Sequence, residues 1–163
     1  MSHFKKIKDP LNKFKKGYQR NNPNLLKHLE SKLINGEPFH YLFLGSVGCG
    51  KTYLARHIMY YSSTRWEYIK VYKFYQEYLG IIGSNAYDKF DALRSHSQPM
   101  QSESLLIDDL GNEKPSTEAA HDYLGGLIER RYDYLERKAD ISRTIITTNL
   151  NGDQIQKTYG SRV

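Results

Sequence analysis

Residues Gly45-Ser46-Val47-Gly48-Cys49-Gly50-Lys51-Thr52 read GSVGCGKT, and this stretch decides the fold. Gly45, Gly50, Lys51 and Thr52 satisfy the spacing G-x-x-x-x-G-K-[ST]. A loop that wraps a phosphate with backbone N–H groups must exclude side chains where it approaches closest, hence the glycines. A helix starting directly behind it offers free N–H groups and the positive end of its dipole to the same phosphates. Both flanks fit. Phe39–Leu44 (FHYLFL) is a short aromatic and apolar run that reads as a buried strand. Residues 51–61 (KTYLARHIMYY) read as a helix with Leu54, Ala55, Ile58 and Met59 on one face. The expected ligands are ATP and Mg²⁺. The whole segment from Gly45 to Thr52 is the expected cradle, eased further by Gly48. Lys51 is placed to reach the β- and γ-phosphate oxygens and the Thr52 hydroxyl to ligate Mg²⁺. Cys49 reads either as a tolerated small residue or as a thiol made reactive by the helix N-terminus, which bound ATP would then protect from alkylation.

The chain has 163 residues, enough for one domain with a core and short for two. Hydrophobic residues make up 39% and charged residues 26%, the balance of a soluble globular protein. No apolar run approaches the roughly 18 residues that span a bilayer, and the lysine-bearing N-terminus lacks the apolar stretch of a secretory signal. A single cysteine excludes an internal disulfide and fits a reducing, cytoplasmic location. The net charge of +6 is concentrated in residues 1–20, where seven basic residues face Asp9 alone. Residues 1–21 are therefore an N-terminal basic arm. Such an arm suits a phosphate backbone or an acidic partner surface, or serves as a solvated segment.

Other elements alternate along the chain. Leu25, Leu26, Leu29 and Leu33 mark a helix over 24–34, ended by Asn35-Gly36. Residues 66–72 (WEYIKVY) alternate as a strand, and 74–93 read as helix in pieces, broken near Gly80 and Gly83. Residues 95–102 read as a loop, and Leu105-Leu106-Ile107 as a strand. A long helix is predicted from Pro115-Ser116 to about residue 138, with Leu124, Leu127, Ile128 and Leu135 inward. Residues 144–148 (TIITT) form a strand, and a last helix begins near Gly152. Alternation of this kind predicts an α/β fold with a parallel sheet covered on both faces.

Two strand ends complete the expected site. Asp108 and Asp109 follow the apolar triplet, at the C-terminal end of the strand, where ligands of parallel sheets bind. Asp108 is the expected Mg²⁺ partner, directly or through water, and Asp109 the group that polarises the attacking water. Asn149, after Thr147-Thr148, either orients that water or senses the terminal phosphate, or else forms an Asx turn.

GSVGCGKT, LLIDDLGNEKPS, TIITTNL, YGSR and the Arg130-Arg131-Tyr132 triplet together resemble the AAA+ ATPases of the DnaC/DnaI helicase-loader and IstB transposition-helper group. The resemblance covers about residues 22–163, which makes that span the expected ATPase domain. It implies a three-layer P-loop NTPase fold of the ASCE type, with a parallel sheet in the order 5-1-4-3-2. It implies Lys51 and Thr52 as Walker A, Asp108 and Asp109 as Walker B, and Asn149 as sensor 1. It also implies ATP-dependent homo-oligomers with ATP between subunits, action on single-stranded DNA in replication, and a replicative hexameric helicase as partner. The segment Phe74 to Arg94 corresponds to one that contacts single-stranded DNA in such loaders, with Phe74, Tyr75 and Tyr78 either stacking on bases or packing on the sheet.

Two departures stand out. The separate helicase-gripping N-terminal domain of such loaders has only the basic arm and one helix in its place. The motif G-x-R-x-x-[SD]-R, whose second arginine is the usual finger, stops at Arg162-Val163. Arg162 is carried as a candidate catalytic residue at a subunit interface, strand 5 is expected to be missing, and the domain is expected to be incomplete at its C-terminus. The competing readings are an IstB-like transposition helper, a non-hydrolysing ATP-binding module, and a small-molecule or nucleotide kinase. The Thr-Thr-Asn strand end, the YGSR segment and the lack of an arginine-rich lid argue against the kinase, and the absence of N-K-x-D against a GTPase. The six histidines are scattered without ligand spacing, and Gly125-Gly126 reads as close helix packing.

Overall fold

The computed structural model describes residues 23–62, 64–84, 89–113, 117–139 and 141–159. The elements run α1 (Pro23–Ile34), β1 (Phe39–Leu44), α2 (Lys51–Tyr61), β2 (Glu67–Lys70), α3 (Val71–Gly83) and α4 (Lys89–Ser97). A 3₁₀ turn (Gln98–Gln101), β3 (Ser104–Leu110), α5 (Glu118–Arg137), β4 (Arg143–Thr148) and α6 (Gly152–Tyr159) follow. The four strands are all parallel, in the order β1-β4-β3-β2. This is the implied order without its fifth member, and no fifth strand occurs among the described residues.

Strand alternation sorts the core into two sides. On one side Phe39, Leu106 and Ile145 pack against Leu29 of α1 and Leu54, Ala55 and Ile58 of α2. Tyr41, Phe43 and Trp66 lean on the same cluster, with the Trp66 ring 6.1 Å from that of Phe39. On the other side Ile69, Leu105, Ile107 and Leu110 meet Phe74 of α3, Leu124 and Leu127 of α5, and Ile155 and Tyr159 of α6. The chain leaves β1 for α2 on one side and β3 for α5 on the other. That divergence opens a crevice at the strands' C-terminal ends. β1 is the edge of the described sheet, and its outward Leu42 and Leu44 are exposed. Ile128 and Leu135 of α5, expected inward, are only partly buried and line a groove beside Leu42.

Several boundaries differ from expectation. The alternation of WEYIKVY suggests a strand to Tyr72, yet β2 stops at Lys70 and α3 begins at Val71. Val71, Phe74 and Tyr75 recur at helical spacing, and all three are buried, so helical burial wins over the alternation. Gly80 does not break α3, which runs to Gly83; its Cβ position meets only open space, so it costs the helix propensity alone. The expected loop 95–102 is instead the end of α4 plus a 3₁₀ turn. His96 fastens it, with Nδ1 2.6 Å from Tyr123 Oη and Nε2 3.0 Å from the Phe74 carbonyl. Thr117 caps α5 by accepting a bond from Ala120 N at 3.2 Å, and Pro115-Ser116, the expected start, lie outside the described residues. Gly125 is buried with the Tyr159 carbonyl 3.7 Å from its Cβ position, as close packing requires, whereas Gly126 faces open space.

Candidate functional site

The loop between β1 and α2 holds its shape through backbone conformations that suit glycine. Gly50 is the residue before α2 and has φ +96°, and Gly48 has φ +81°. An L-residue at either would be strained. The loop wraps the Lys51 side chain. Lys51 Nζ donates to the Gly45 and Ser46 carbonyls at 2.7 and 2.9 Å and to Asn149 Oδ1 at 2.8 Å, with Cys49 Sγ at 3.6 Å. The last residue thus ties the loop to the end of β4, 98 positions away.

Asp108 is 1% exposed. Its Oδ1 accepts from Thr52 Oγ1 and Thr147 Oγ1, both at 2.7 Å, and its Oδ2 from Tyr68 Oη at 2.8 Å. All three donors are neutral hydroxyls, and Asp108 forms no salt bridge among the described residues. A buried carboxylate without a counter-cation is costly. One that shares an oxygen with a threonine at the start of a phosphate-cradling helix is chemically suited to Mg²⁺.

The pairing of β3 with β4 shifts register between Ile107 and Leu110, so Asp108 and Asp109 sit on a bulge. Asp109 has φ +64°, the one non-glycine residue with positive φ among those described. Its N–H donates to Thr147 Oγ1 at 3.0 Å, while that same hydroxyl donates to Asp108. Thr147 thus holds two neighbouring acids in two orientations. Asp108 points into the buried network, and Asp109 reaches the cavity, 3.7 Å from Lys70 Nζ. Lys51, Thr52, Arg56, Asp109 and Asn149 line one cavity of about 430 Å³, within the range of small-ligand sites.

The structure therefore brings Gly45 to Thr52, Asp108, Asp109 and Asn149 together. Arg162 lies outside the described residues, as do residues 1–21 and the Gly160-Ser161 part of the YGSR segment. Sequence reasoning missed Arg56, Tyr68 and Lys70 altogether. Arg56 left a signal, since it follows Thr52 by one helical turn. Tyr68 and Lys70 left none, because their place depends on the β2–β3 register. The aromatics of α3 resolve toward packing: Phe74 and Tyr75 are buried, and the Tyr78 ring stacks 3.6 Å from that of Tyr123.

The model of the AAA family, ATPases associated with various cellular activities, matches residues 41–162, and the chain belongs to that family. Among solved structures it is similar to the crystal structure of the DnaC helicase loader. The two share a TM-score of 0.62 at 22% identity over 85% of this chain and 80% of that one, a likeness of fold. No curated protein matches the chain. No helix among the described residues is long and apolar enough to cross a membrane.

Proposed function

We propose that the chain is an ATP- and Mg²⁺-dependent ATPase that works as a helicase-loader-like protein on single-stranded DNA, assembling with further copies of itself when ATP is bound. The observation that carries the nucleotide part is the pair of bonds Lys51–Asn149 and Thr52–Asp108, which draws three separated segments around one cavity. Backbone N–H groups of the Gly45–Thr52 loop and the Lys51 ammonium would hold the phosphates. Thr52 and Asp108 would hold Mg²⁺, which supplies charge neutralisation at the phosphate oxygens. Asp109 would accept the proton of the attacking water, and Asn149 would orient it. Arg162 is proposed as the interface arginine.

Support for the nucleic-acid part is chemical and topographic. Tyr72, Lys73, Phe90 and Arg94 are exposed along α3 and α4, and Phe90 is 79% exposed. Exposed aromatic rings can stack on bases and exposed cations can pair with phosphates. The basic residues 1–21 would add to the field that draws the strand in. This reassigns the stacking role from Phe74 and Tyr75, which are buried, to Tyr72 and Phe90.

The test is steady-state ATP hydrolysis with and without single-stranded DNA, beside Lys51→Ala. DNA-stimulated turnover that Lys51→Ala abolishes supports the reading. Tight ATP binding with no turnover under either condition would replace it with a nucleotide-gated binding module. Co-sedimentation with a hexameric helicase against a transposase separates a loader from an IstB-like helper.

A further inference from the structure

Arg56 and Tyr68 belong to no motif, yet both bear on the carboxylate at the centre of the site. Arg56 follows Thr52 by one turn of α2, so the two side chains leave the same helix face. On β2, Tyr68 pairs with Leu106 and Lys70 with Asp108, which puts Tyr68 on the same sheet face as Asp108, one pleat earlier. The length of the phenol bridges that step, and Tyr68 Oη donates to Asp108 Oδ2 at 2.8 Å. Arg56 Nη2 donates to the same phenol oxygen at 3.0 Å, with its guanidinium carbon 5.1 Å from the ring centroid. Asp108 Oδ1 is held by two hydroxyls, whereas Oδ2 is held by Tyr68.

We propose that Arg56 and Tyr68 form a positioning relay that orients Asp108 Oδ2 and thereby sets the affinity of the site for Mg²⁺. The inference rests on the ATP and Mg²⁺ reading above. A phenol oxygen that accepts a bond from a cation becomes a better donor through its own O–H, so Arg56 strengthens the Tyr68–Asp108 bond without touching the carboxylate. The relay keeps the positive charge of Arg56 one side chain away from the metal position, where direct contact would repel it. Ligand-orienting groups of this kind change metal affinity by about 10–100-fold when removed. A rival arrangement has Arg56 gripping the terminal phosphate itself. Its engagement with the Tyr68 hydroxyl and ring argues for the relay.

The two arrangements differ in how they depend on metal. A fluorescent ATP analogue is titrated in EDTA and then at graded Mg²⁺, with wild type, Tyr68→Phe, Arg56→Gln, Arg56→Lys and the double variant Tyr68→Phe/Arg56→Gln. The relay requires binding in EDTA to stay within about twofold of wild type, while the Mg²⁺ midpoint of Tyr68→Phe rises about tenfold. Arg56→Gln gives a smaller rise, Arg56→Lys recovers part of it, and the double variant adds nothing to Tyr68→Phe, because both act through one bond. Arg56 is exposed, so its variants test the relay even if Tyr68→Phe loosens the fold. An unchanged Mg²⁺ midpoint in both single variants overturns the relay. So does a large loss of EDTA binding in Arg56→Gln, which marks direct phosphate contact. Wild type that shows no Mg²⁺-dependent binding removes the nucleotide reading itself, a separate and recognisable failure.

Discussion

Tyr159 Oη donates to Glu113 Oε1 at 2.6 Å, and the two residues are 5% and 2% exposed. The bond fastens the loop behind β3 to α6, across 46 positions. His121 Nε2 stands 3.5 Å from the same oxygen, and Glu113 Oε2 is buried with no hydrogen-bond partner among the described residues. Tyr159→Phe withdraws a donor from a buried carboxylate. We expect a loss of about 1–3 kcal/mol, read from thermal or urea denaturation.

The same bond has a pH signature. Burial first, and then the bond to Glu113, raises the Tyr159 phenol well above its ordinary range. A raised folded-state pKa contributes stability that is complete below the unfolded value of about 10 and is lost as pH climbs toward the folded value. Burial raises Tyr123 in the same direction. Unfolding free energy should therefore fall above pH of about 10, and Tyr159→Phe should flatten that alkaline limb. An equally steep limb in the variant would contradict the assignment.

Arg131 is 2% exposed and has no carboxylate partner among the described residues. Its guanidinium donates instead to Thr144 Oγ1 at 3.0 Å and to the carbonyls of Met100 at 3.0 Å, Arg143 at 2.9 Å, and Ser102. Burial lowers its pKa to about 10, which leaves it charged at neutral pH. One planar fork thus clamps the 3₁₀ turn, the approach to β3 and the start of β4 onto α5. A lysine offers a point charge with no fork and cannot reach all four acceptors. Arg131→Lys should cost about 2–3 kcal/mol, seen as a lower urea midpoint at constant slope.

Gly50 and Gly48 should respond unequally to alanine. Gly50 joins the loop to α2 at φ +96°, where alanine costs about 1–2 kcal/mol and turns the helix start away from the cavity. Gly48 has φ +81° but open space at its Cβ position, so only conformation resists the change. Both variants should weaken ATP-analogue binding, and Gly50→Ala should also lower the melting temperature the more.

Lys70 and Asp109 are 3.7 Å apart with side chains 42% and 25% exposed, a pair worth little to stability. Lys70→Ala should leave the unfolding free energy within about 0.5 kcal/mol of wild type. Asp109→Asn should keep ATP binding while turnover falls by about 10²–10⁴-fold, read in single-turnover hydrolysis.

The parts of this molecule that were legible in sequence are those whose meaning is local. GSVGCGKT carries its own spacing, and the triplet before Asp108 announces a strand ending in acid. What stayed hidden depends on register and on distant partners. Tyr68 meets Asp108 across 40 positions, through a pairing that no local pattern encodes. The end of β2 was misplaced because Val71 and Tyr72 continue an alternation that α3 takes over. Ser95 to Ser102 has the composition of a loop, and its helical turns are explained by distant partners, the contacts of His96 with Phe74 and Tyr123 and the bonds of Arg131 to Met100 and Ser102. The bulge that turns Asp109 apart from Asp108 was equally invisible, since Thr147 supplies it from another strand.

Trp66 is the single tryptophan of the chain, set against Phe39 on the α2 side of the sheet, with its indole Nε1 buried and without a hydrogen-bond partner among the described residues. An indole packed partly against that core emits to the blue of one free in water, and selective excitation sees no other residue. Since α2 begins in the loop that carries Lys51, loosening of that layer shifts the emission, while the opposite layer of α3, α5 and α6 stays dark. The protein carries its own optical gauge for one half of its core.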